Sequence, residues 1–519
     1  MEKKAVIINL TRFGDLIQSQ PVLTKLKARD FSTHLVCLEN FASAAHLLSD
    51  VDQVHPFPGA RFLALLDTSW TRAVAELQDW VAGTTNGLQF DLAVNLTASL
   101  SSRLLTRMYQ ARENRGFFLD KMGFGCYSGN WPAFLQASSA HRGSSPFNIV
   151  DLFVRAAHLD QGRTELSVIS PGQDQMNTMR QLLNRESGGR QFSGYITFQL
   201  GASDDKRRWP VENFVALGDL LNKELNICPV LLGSKNEQYL ADKYHSLSGS
   251  PPINLCGRTD LEQLSAALVC SKLLITNDTG TMHLAAGLGV KSLSFFLATA
   301  QPWDTGPYLE DCLCMEPGMK CHPCSFDHHC QSGFACRKII TPEVVFQAAK
   351  DFINTQTWPE LETSLVRVRR TTFRDGFYFL KPVNQAAEDN YSLWMQIQHH
   401  FYRLFLEEKN ISPPRDISRP DSMYCREIAE HIRSINPLLN LAGEQAGVLC
   451  KVTVPKVKKN FLNTWQRLSQ LLSQSPYFPV LGLLWTYQTQ VASTELDKII
   501  LLCRKYSSLL ESMDEFLKG

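Results

Sequence analysis

The sequence predicts an α/β protein in which two domains, each built on a parallel sheet, precede a mainly helical segment. Short apolar runs alternate with helical patterns along the first part of the chain, as they do in parallel sheets flanked by helices. This alternation breaks near residues 170–172 (Ser-Pro-Gly) and then begins again. From about residue 341 the pattern is helical, apart from a β-hairpin expected around Asp375-Gly376.

These changes of pattern set the predicted domains, which are residues 1–172, 173–345 and 346–519, with a cysteine-rich loop at 312–336. In the first domain the expected strands are 5–10, 34–38 and 92–96, and the expected helix is 16–28. In the second domain the expected strands are 195–200, 228–232, 273–276 and 292–296, and the helices are 211–221, 261–269 and 282–288. The third domain is expected to contain helices at 344–353, 391–408, 423–435, 462–472 and 494–517.

Composition and charge exclude several classes of protein. The net charge of +1 gives no indication of nucleic-acid binding, and none is expected. No apolar run approaches the roughly 20 residues that a membrane helix needs. The short apolar run at residues 5–10 is followed at once by Arg12 and Asp15, so it predicts a buried strand rather than a signal peptide. We therefore expect a cytoplasmic protein.

The sequence Asn-Asp-Thr-Gly-Thr-Met-His at residues 277–283 lies between a predicted strand and a predicted helix. Asp278 or Thr279 could cap the helix, and Gly280 would let a ligand approach the backbone. The free N–H groups and the dipole at this helix end favour a phosphate, to which His283 could donate. The alternative is an ordinary cap followed by a packed histidine.

A second strand-to-helix loop, residues 201–210, reads Gly-Ala-Ser-Asp-Asp-Lys-Arg-Arg-Trp-Pro. Its small residues, its hydroxyl and its three consecutive cations suit a diphosphate that gains charge as it leaves. The alternative is a solvated basic loop. A glycine-rich dinucleotide fingerprint is absent, because Gly287-Leu288-Gly289 lacks the third glycine.

Phe13-Gly14-Asp15 follows the first predicted strand. Asp15 is then expected at the carboxyl end of a parallel sheet, where ligands bind in such folds, and a carboxylate there could act as a general base. The alternative is an acidic residue at a helix start that is favoured by the helix dipole alone.

Together, these three segments resemble the heptosyltransferases of glycosyltransferase family 9, over roughly residues 3 to 340. Cys256-Gly257-Arg258-Thr259 and the segment from Thr299 to Pro302 are also similar to that family. The resemblance implies a GT-B fold, in which two Rossmann-like domains face a cleft, with the acceptor on the N-terminal side. It also implies transfer of a sugar, often L-glycero-D-manno-heptose from an ADP-linked donor, with inversion and without a catalytic metal.

The resemblance assigns roles to matching positions. Asp15 matches the catalytic base of the family, and Glu237 matches its ribose-binding carboxylate. The matches to the binding sites for the donor phosphates are Ser203, Lys206, Arg207, Asp278, Thr279, Gly280 and His283. The family typically has one lysine two places before the tryptophan, whereas here that position is Arg207 and the lysine stands one place earlier.

Four cysteines, Cys321, Cys324, Cys330 and Cys336, have the spacing C-x₂-C-x₅-C-x₅-C. Four thiolates can form a tetrahedral site for Zn or Fe, and a filled site of this kind is structural rather than catalytic. Similar cysteine clusters occur in the autotransporter heptosyltransferases, where the resemblance implies iron. His328 or His329 could replace one ligand, and the alternative is a set of reduced free thiols.

The function expected from the sequence is that of an inverting glycosyltransferase. It would move heptose from ADP-heptose to a hydroxyl of a lipopolysaccharide-core glycolipid. The alternatives are a protein acceptor, as for the autotransporter heptosyltransferases, and a non-catalytic GT-B assembly protein that binds nucleotide sugars. Two basic groups (Arg367, Arg369, Arg370 and Arg374; Lys451, Lys456, Lys458 and Lys459) are either solvated faces or peripheral contacts with the cytoplasmic face of the inner membrane.

Overall fold

The structure is a computed structural model, and it describes residues 2–160, 162–324, 329–452, 454–492 and 495–519. Within the described residues the chain forms two units. The first unit comprises Met1–Arg115 and Asn148–Ala387, so it contains the predicted second α/β domain and the predicted first one apart from residues 116–147. The second comprises Gly116–Phe147 and Glu388–Gly519.

The first sheet is built by the N-terminal part of the chain, and its strand order is β3-β2-β1-β4-β5-β6. Its elements are β1 (Lys3–Asn9), α1 (Phe13–Gln18), α2 (Gln20–Lys27), β2 (Phe31–Leu38), α3 (Ala42–Ala45), β3 (Gln53–Phe57), α4 (Gly59–Thr68), α5 (Trp70–Thr85), β4 (Leu92–Asn95), α6 (Leu100–Met108) and β5 (Glu113–Leu119). Strand β5 leads into β6 (Gly125–Tyr127) and α7 (Asn130–Ala140) of the second unit. Strands β1 to β4 are parallel, as expected, so their carboxyl ends share one edge.

The helix expected at residues 16–28 is divided in two. Helix α1 ends at Gln18, and α2 begins at Gln20 with Pro21 in its first turn. Proline has no N–H and cannot continue the hydrogen-bond ladder of a preceding helix, which is why the single predicted helix was wrong. The break leaves α1 as a short helix directly beyond β1.

The second sheet has the order β14-β13-β12-β11-β10-β7-β8-β9. Its elements are α8 (Ile149–Ala156), α9 (Gln173–Glu186), β7 (Gly194–Gln199), α10 (Val211–Leu225), β8 (Ile227–Leu232), α11 (Gln238–Leu247), β9 (Ile253–Asn254), α12 (Leu261–Val269), β10 (Leu274–Asn277), α13 (Gly280–Gly287), β11 (Ser292–Phe295), α14 (Pro302–Thr305), β12 (Leu313–Pro317), α15 (Cys336–Ile339), α16 (Pro342–Thr355), β13 (Val366–Arg374) and β14 (Phe377–Pro382). Strands β7 to β12 are parallel, and the predicted strands of this domain are confirmed.

The predicted hairpin turn is confirmed, but the hairpin belongs to this second sheet rather than to the helical segment. Asp375 and Gly376 both have positive φ (52° and 77°), as a two-residue turn requires. Strand β13 pairs antiparallel with β12. In this position Arg369 is buried and forms an ion pair with Glu316, so it does not lie on a solvated face.

The second unit is mainly helical, as expected. Besides β6 and α7 it contains α17 (Asn390–Leu406), α18 (Ser422–Leu449), α19 (Pro455–Ser473), α20 (Pro479–Ala492) and α21 (Leu496–Lys518). Helix α18 continues through Pro437, beyond its expected end, because Ile435 and Leu439 are buried on either side of the proline. Residue 494, the expected start of α21, lies outside the described residues. Among the described residues, no helix is long and apolar enough to cross a membrane.

Candidate active site

The turn between β1 and α1 carries Asp15, and uncharged groups hold its backbone in place. Asn9 ends β1 and is fully buried. Its Oδ1 accepts a hydrogen bond from the Thr11 N–H at 3.2 Å, and its Nδ2 donates to the Asp15 carbonyl at 3.3 Å. The Leu10 N–H donates to Thr97 Oγ1, which follows β4, at 2.9 Å. Asp15 therefore lies half-buried in the first turn of α1, at the carboxyl edge of the first sheet.

Two glycines allow this turn to meet the start of α13 from the second sheet. A Cβ on Gly280 would lie 2.2 Å from Phe13 Cδ1, closer than carbon atoms can approach. A Cβ on Gly14 would lie 3.0 Å from His283 Cδ2 and 3.5 Å from Gly280 Cα. The absence of side chains at both positions is what lets the two backbones touch. The structure thus brings together two of the three motifs found in the sequence.

The first turn of α13 differs from the expected capped helix. Thr279 occupies the N-cap position, but its side chain makes no capping hydrogen bond. Asp278 instead forms an ion pair with Arg207. The expectation that either side chain caps α13 is therefore wrong, because the carboxylate is drawn to a guanidinium whose position the local sequence does not reveal. His283 is 4% exposed and lies against Gly14.

The loop after β7, residues 201–210, is here called the donor loop. Trp209 anchors its end: the ring is fully buried, the backbone N–H donates to Asn277 Oδ1 at 2.8 Å, and Nε1 donates to the Ile340 carbonyl at 2.8 Å. Asn277 also donates from Nδ2 to the Leu200 and Gly201 carbonyls, at 2.9 and 3.1 Å. One buried amide at the end of β10 therefore holds both ends of the donor loop.

The cations of the donor loop have different surroundings. Arg207 is bound twice, to Asp278 and to Ser203 Oγ at 2.9 Å. Arg208 donates from Nη1 to the Tyr239 hydroxyl at 2.5 Å. Lys206 lies 3.5 Å from Asp204, an exposed carboxylate, and its own side chain is 29% exposed. The Lys206 side chain is thus the least constrained of the three. The family pattern leaves Lys206 and Arg207 as the two candidates for the phosphate contact.

Glu237 lies beside the donor loop. Its Oε2 accepts hydrogen bonds from the backbone N–H and the hydroxyl of Ser234, at 2.7 and 2.9 Å. Its Oε1 occupies the space that a Cβ on Gly201 would need, at 1.5 Å. The Glu237 carboxylate therefore lies at the carboxyl ends of β7 and β8, close to the phosphate-binding candidates. One of its two oxygens, Oε2, bonds to Ser234 in the same turn.

The cysteine segment, residues 321–324 and 329–336, lies against the loop that follows β11. The Cys324 N–H donates to the Ala298 carbonyl at 2.8 Å, and His322 Nε2 lies 3.1 Å from the Ala300 carbonyl. Burial raises the pKa of the Cys324 thiol, and the neighbouring thiols of Cys321, Cys336 and Cys330 raise it further. The Lys206 ammonium acts in the opposite direction on that pKa, so the segment also lies near the donor loop.

The four predicted metal ligands therefore influence one another electrostatically. Among the residues that the structure describes, no group of three or more His, Cys, Asp or Glu side chains has the spacing of a metal site. His328 lies outside those residues, and His329 is exposed. The metal site stays a prediction.

Sequence reasoning missed three residues of this region. Phe13 has no expected role in the sequence beyond its place next to Gly14, yet its ring lies against Gly280. Asn9 shows no signal beyond its place at the end of an apolar run. Arg337, which bonds to the donor loop through the Arg208 carbonyl and Asp205, looks like any other surface cation in the sequence.

Comparison with known proteins relates part of this chain to one family. Residues 85–332 match the model of glycosyltransferase family 9 (heptosyltransferase). The match includes the donor loop and the start of α13 but not the turn that carries Asp15. Among the relatives, the lipooligosaccharide heptosyltransferase 2 of Campylobacter jejuni is 27% identical over 159 residues, which are 28% of this chain and 47% of the relative. The chain spans no more than about half the length of the curated relatives it matches first.

Solved structures agree on the fold. A family 9 glycosyl transferase from Veillonella parvula has a TM-score of 0.54 at 19% identity, covering 68% of this chain and 98% of that one. The ADP-heptose lps heptosyltransferase II of E. coli has a TM-score of 0.50 at 16% identity, covering 68% of this chain and 99% of that one. The expected GT-B type of fold, with two α/β domains and an added helical region, is thereby confirmed.

Proposed function

We propose that this chain, a heptosyltransferase-like protein of glycosyltransferase family 9, moves a heptosyl group from a nucleotide-diphosphate sugar to an acceptor hydroxyl. One observation carries the proposal. The turn that bears Asp15 touches the first turn of α13, next to the cationic donor loop. A base and a phosphate-binding region then lie on the two sides of one contact, as a transfer between two bound substrates requires.

On the acceptor side, Asp15 is the general base. Its carboxylate takes the proton of the acceptor hydroxyl as the oxygen attacks the anomeric carbon of the donor. A new C–O bond forms on one face while the bond to the diphosphate breaks on the other, so the anomeric configuration is inverted. The bonding electron pair leaves with the nucleotide diphosphate.

On the donor side, the groups that face the diphosphate must stabilise the negative charge that it gains. Lys206 supplies a mobile ammonium, and the backbone N–H groups of Thr279 and Gly280 lie at the positive end of α13. Arg207 is held by Asp278, and that pairing reduces the repulsion which a bare carboxylate would exert on the phosphates. Ser203 and Glu237 complete this side as contacts for phosphate and ribose.

The finer identity of the substrates is also part of the proposal. The names of the relatives support a heptosyl donor and a lipooligosaccharide or lipopolysaccharide acceptor, and the E. coli neighbour supports ADP-heptose. We propose ADP-heptose as donor and a glycolipid of the lipopolysaccharide-core type as acceptor. The reaction would then take place at the cytoplasmic face of the inner membrane, with which the protein makes peripheral contact.

The test is a transfer assay with purified protein, ADP-heptose and a heptose-deficient core glycolipid, with Asp15→Asn as the matched control. We expect transfer by the parent protein, and an inverted anomeric configuration in the product by NMR. UDP- and GDP-sugars and a protein acceptor serve as alternative substrates in the same assay. Binding of nucleotide sugars without transfer to any acceptor would replace this proposal with a binding function.

The cysteine segment is proposed to hold one structural Zn or Fe ion. The spacing of the four cysteines along the chain fits this role, because thiolates are preferred ligands of both metals. Bound metal would cross-link a segment that has few core-forming residues, and metal binding would then contribute to its folding free energy. No step of the transfer reaction passes through this ion.

A further inference from the structure

We propose that Arg337 is a positioning residue for the donor loop, so that the cysteine segment controls where Lys206 and Arg207 lie. This inference rests on the proposed function, because it assigns a role in that same site. Arg337 follows Cys336 directly, in α15. Its side chain does not reach a substrate-binding group itself, but it joins α15 to the backbone of the donor loop.

Two hydrogen bonds define the link. Arg337 Nε donates to the Arg208 carbonyl at 2.9 Å, and Nη1 donates to Asp205 Oδ2 at 2.9 Å. Asp205 and Arg208 stand on either side of Lys206 and Arg207 in the chain. A planar guanidinium that binds both flanks fixes the short turn between them, because its donors have a rigid relative orientation.

The donor loop needs such a support. Ser203, Asp204 and Asp205 are all exposed, and an exposed loop loses conformational entropy when it is ordered around a ligand. Trp209 secures the end of the loop, but the part that carries the cations lies before it. A loop held in advance by Arg337 loses less entropy when the diphosphate binds.

The other end of the link is attached to buried parts of the second sheet's domain. Cys336 is buried, and the carbonyl of Ile340, which follows α15, accepts a hydrogen bond from Trp209 Nε1. The cysteine segment is also bonded to Ala298, after β11. Arg337 therefore extends from a fixed support, and the cysteine segment connects the loops that follow β7 and β11.

The test compares three variants with the parent protein. Arg337→Ala removes both bonds, and Arg337→Lys keeps a cation that can make one of them. Arg115→Ala is the matched control: its Nε donates to Glu113 at 2.6 Å, its Nη1 donates to the Ala157 carbonyl at 3.1 Å, and its side chain is 18% exposed, against 22% for Arg337. The control thus loses the same kinds of bond outside the second sheet.

The readouts are ADP affinity by calorimetry, KM and kcat for the nucleotide sugar, and hydrogen–deuterium exchange of residues 203–209 in the full chain. We expect Arg337→Ala to weaken ADP binding and raise KM by roughly tenfold, with a smaller fall in kcat. Exchange of residues 203–209 should increase, Arg337→Lys should recover part of each effect, and Arg115→Ala should change none of them.

The outcomes separate this inference from the function on which it rests. If the parent protein binds ADP but Arg337→Ala has parental affinity and parental exchange in residues 203–209, the positioning role is wrong and the proposed function stands. If Arg115→Ala produces the same changes as Arg337→Ala, the effect is one of general stability and the positioning role is also wrong. If the parent protein binds none of ADP, UDP and GDP, both proposals are overturned.

Discussion

The turn that bears Asp15 and the donor loop occupy corresponding places, each after a strand at the carboxyl edge of its sheet, but they are held by different kinds of interaction. The turn is positioned by neutral groups: the Asn9 amide, the Thr97 hydroxyl and the contact between Gly14 and α13. The ends of the donor loop are held by the neutral Asn277 amide, but its cationic part is positioned by ionic contacts: Arg207 with Asp278 and Arg337 with Asp205.

This difference indicates that the proposed chemical step and donor binding depend on the two regions in different ways. Neutral hydrogen bonds and steric fit keep the backbone that carries Asp15 in place at any ionic strength, whereas the more exposed pair of Arg337 and Asp205 is screened by salt. The chemical step should therefore depend on one residue of the turn, in an all-or-none manner. Donor binding should depend on many residues of the loop, each with a graded effect.

The largest expected effect is that of Asp15→Asn. An amide cannot accept the hydroxyl proton, so transfer should fall by roughly 10²–10⁴-fold. Because the substitution keeps the size of the side chain and the neutral contacts of the turn, ADP affinity should match that of the parent protein. The measurement is single-turnover transfer beside calorimetric ADP binding. Transfer at the parental rate would remove Asp15 from the role of base.

The next effect is that of Lys206→Ala combined with Arg207→Ala. The leaving diphosphate gains charge in the transition state, so kcat should fall by roughly 10²–10³-fold. The fall in ADP affinity should be smaller. Asp278→Asn in the same background is the control for the carboxylate that loses its partner. Equal ADP affinity and equal kcat in the parent and the double variant would show that the donor loop does not contact the diphosphate.

The sequence predicted these two regions for a physical reason. Strand ends, glycines and runs of charge are local signals, so β1 and β7 end within one residue of their expected ends and the two regions follow them. Helix α20 was missed because apolar residues follow one another almost without interruption from Val480 to Trp485, which hides any helical period. An amphipathic period is therefore absent from that segment.

The contacts between the motifs could not be predicted in this way. Asp278 was expected to cap α13, but it pairs with Arg207, a residue distant in the chain. The fit between Gly280 and Phe13 also depends on how two sheets pack, which no local pattern encodes. Each motif was therefore visible in the sequence, while their assembly into one site was implied by the family resemblance and not by any local pattern.

A smaller effect is expected from Gly280→Ala, which tests that fit. The added Cβ would lie 2.2 Å from the Phe13 ring, so the turn must move away from α13. This movement of the turn should lower transfer by roughly 10- to 100-fold, because the reacting groups lose their alignment. Phe13→Ala in the same chain removes the clash and should recover part of the loss. Strictly additive effects in this double-mutant cycle would mean that the two residues do not meet.

The smallest effect on transfer is expected from Cys324→Ser and Cys336→Ser. Each removes one proposed ligand, so metal content by elemental analysis should fall and Tm should drop by a few degrees. Cys270→Ser, a half-buried thiol at the end of α12, is the matched control and should change neither quantity. Because the substitutions leave the Arg337 bonds to the donor loop in place, the KM for the donor should rise by less than it does in Arg337→Ala, and the chemical step should be unchanged. Protein purified without chelator and without a metal-affinity tag should contain about one Zn or Fe per chain. Less than about a tenth of an equivalent would identify the four cysteines as free thiols, and the donor loop would then be supported without a metal ion.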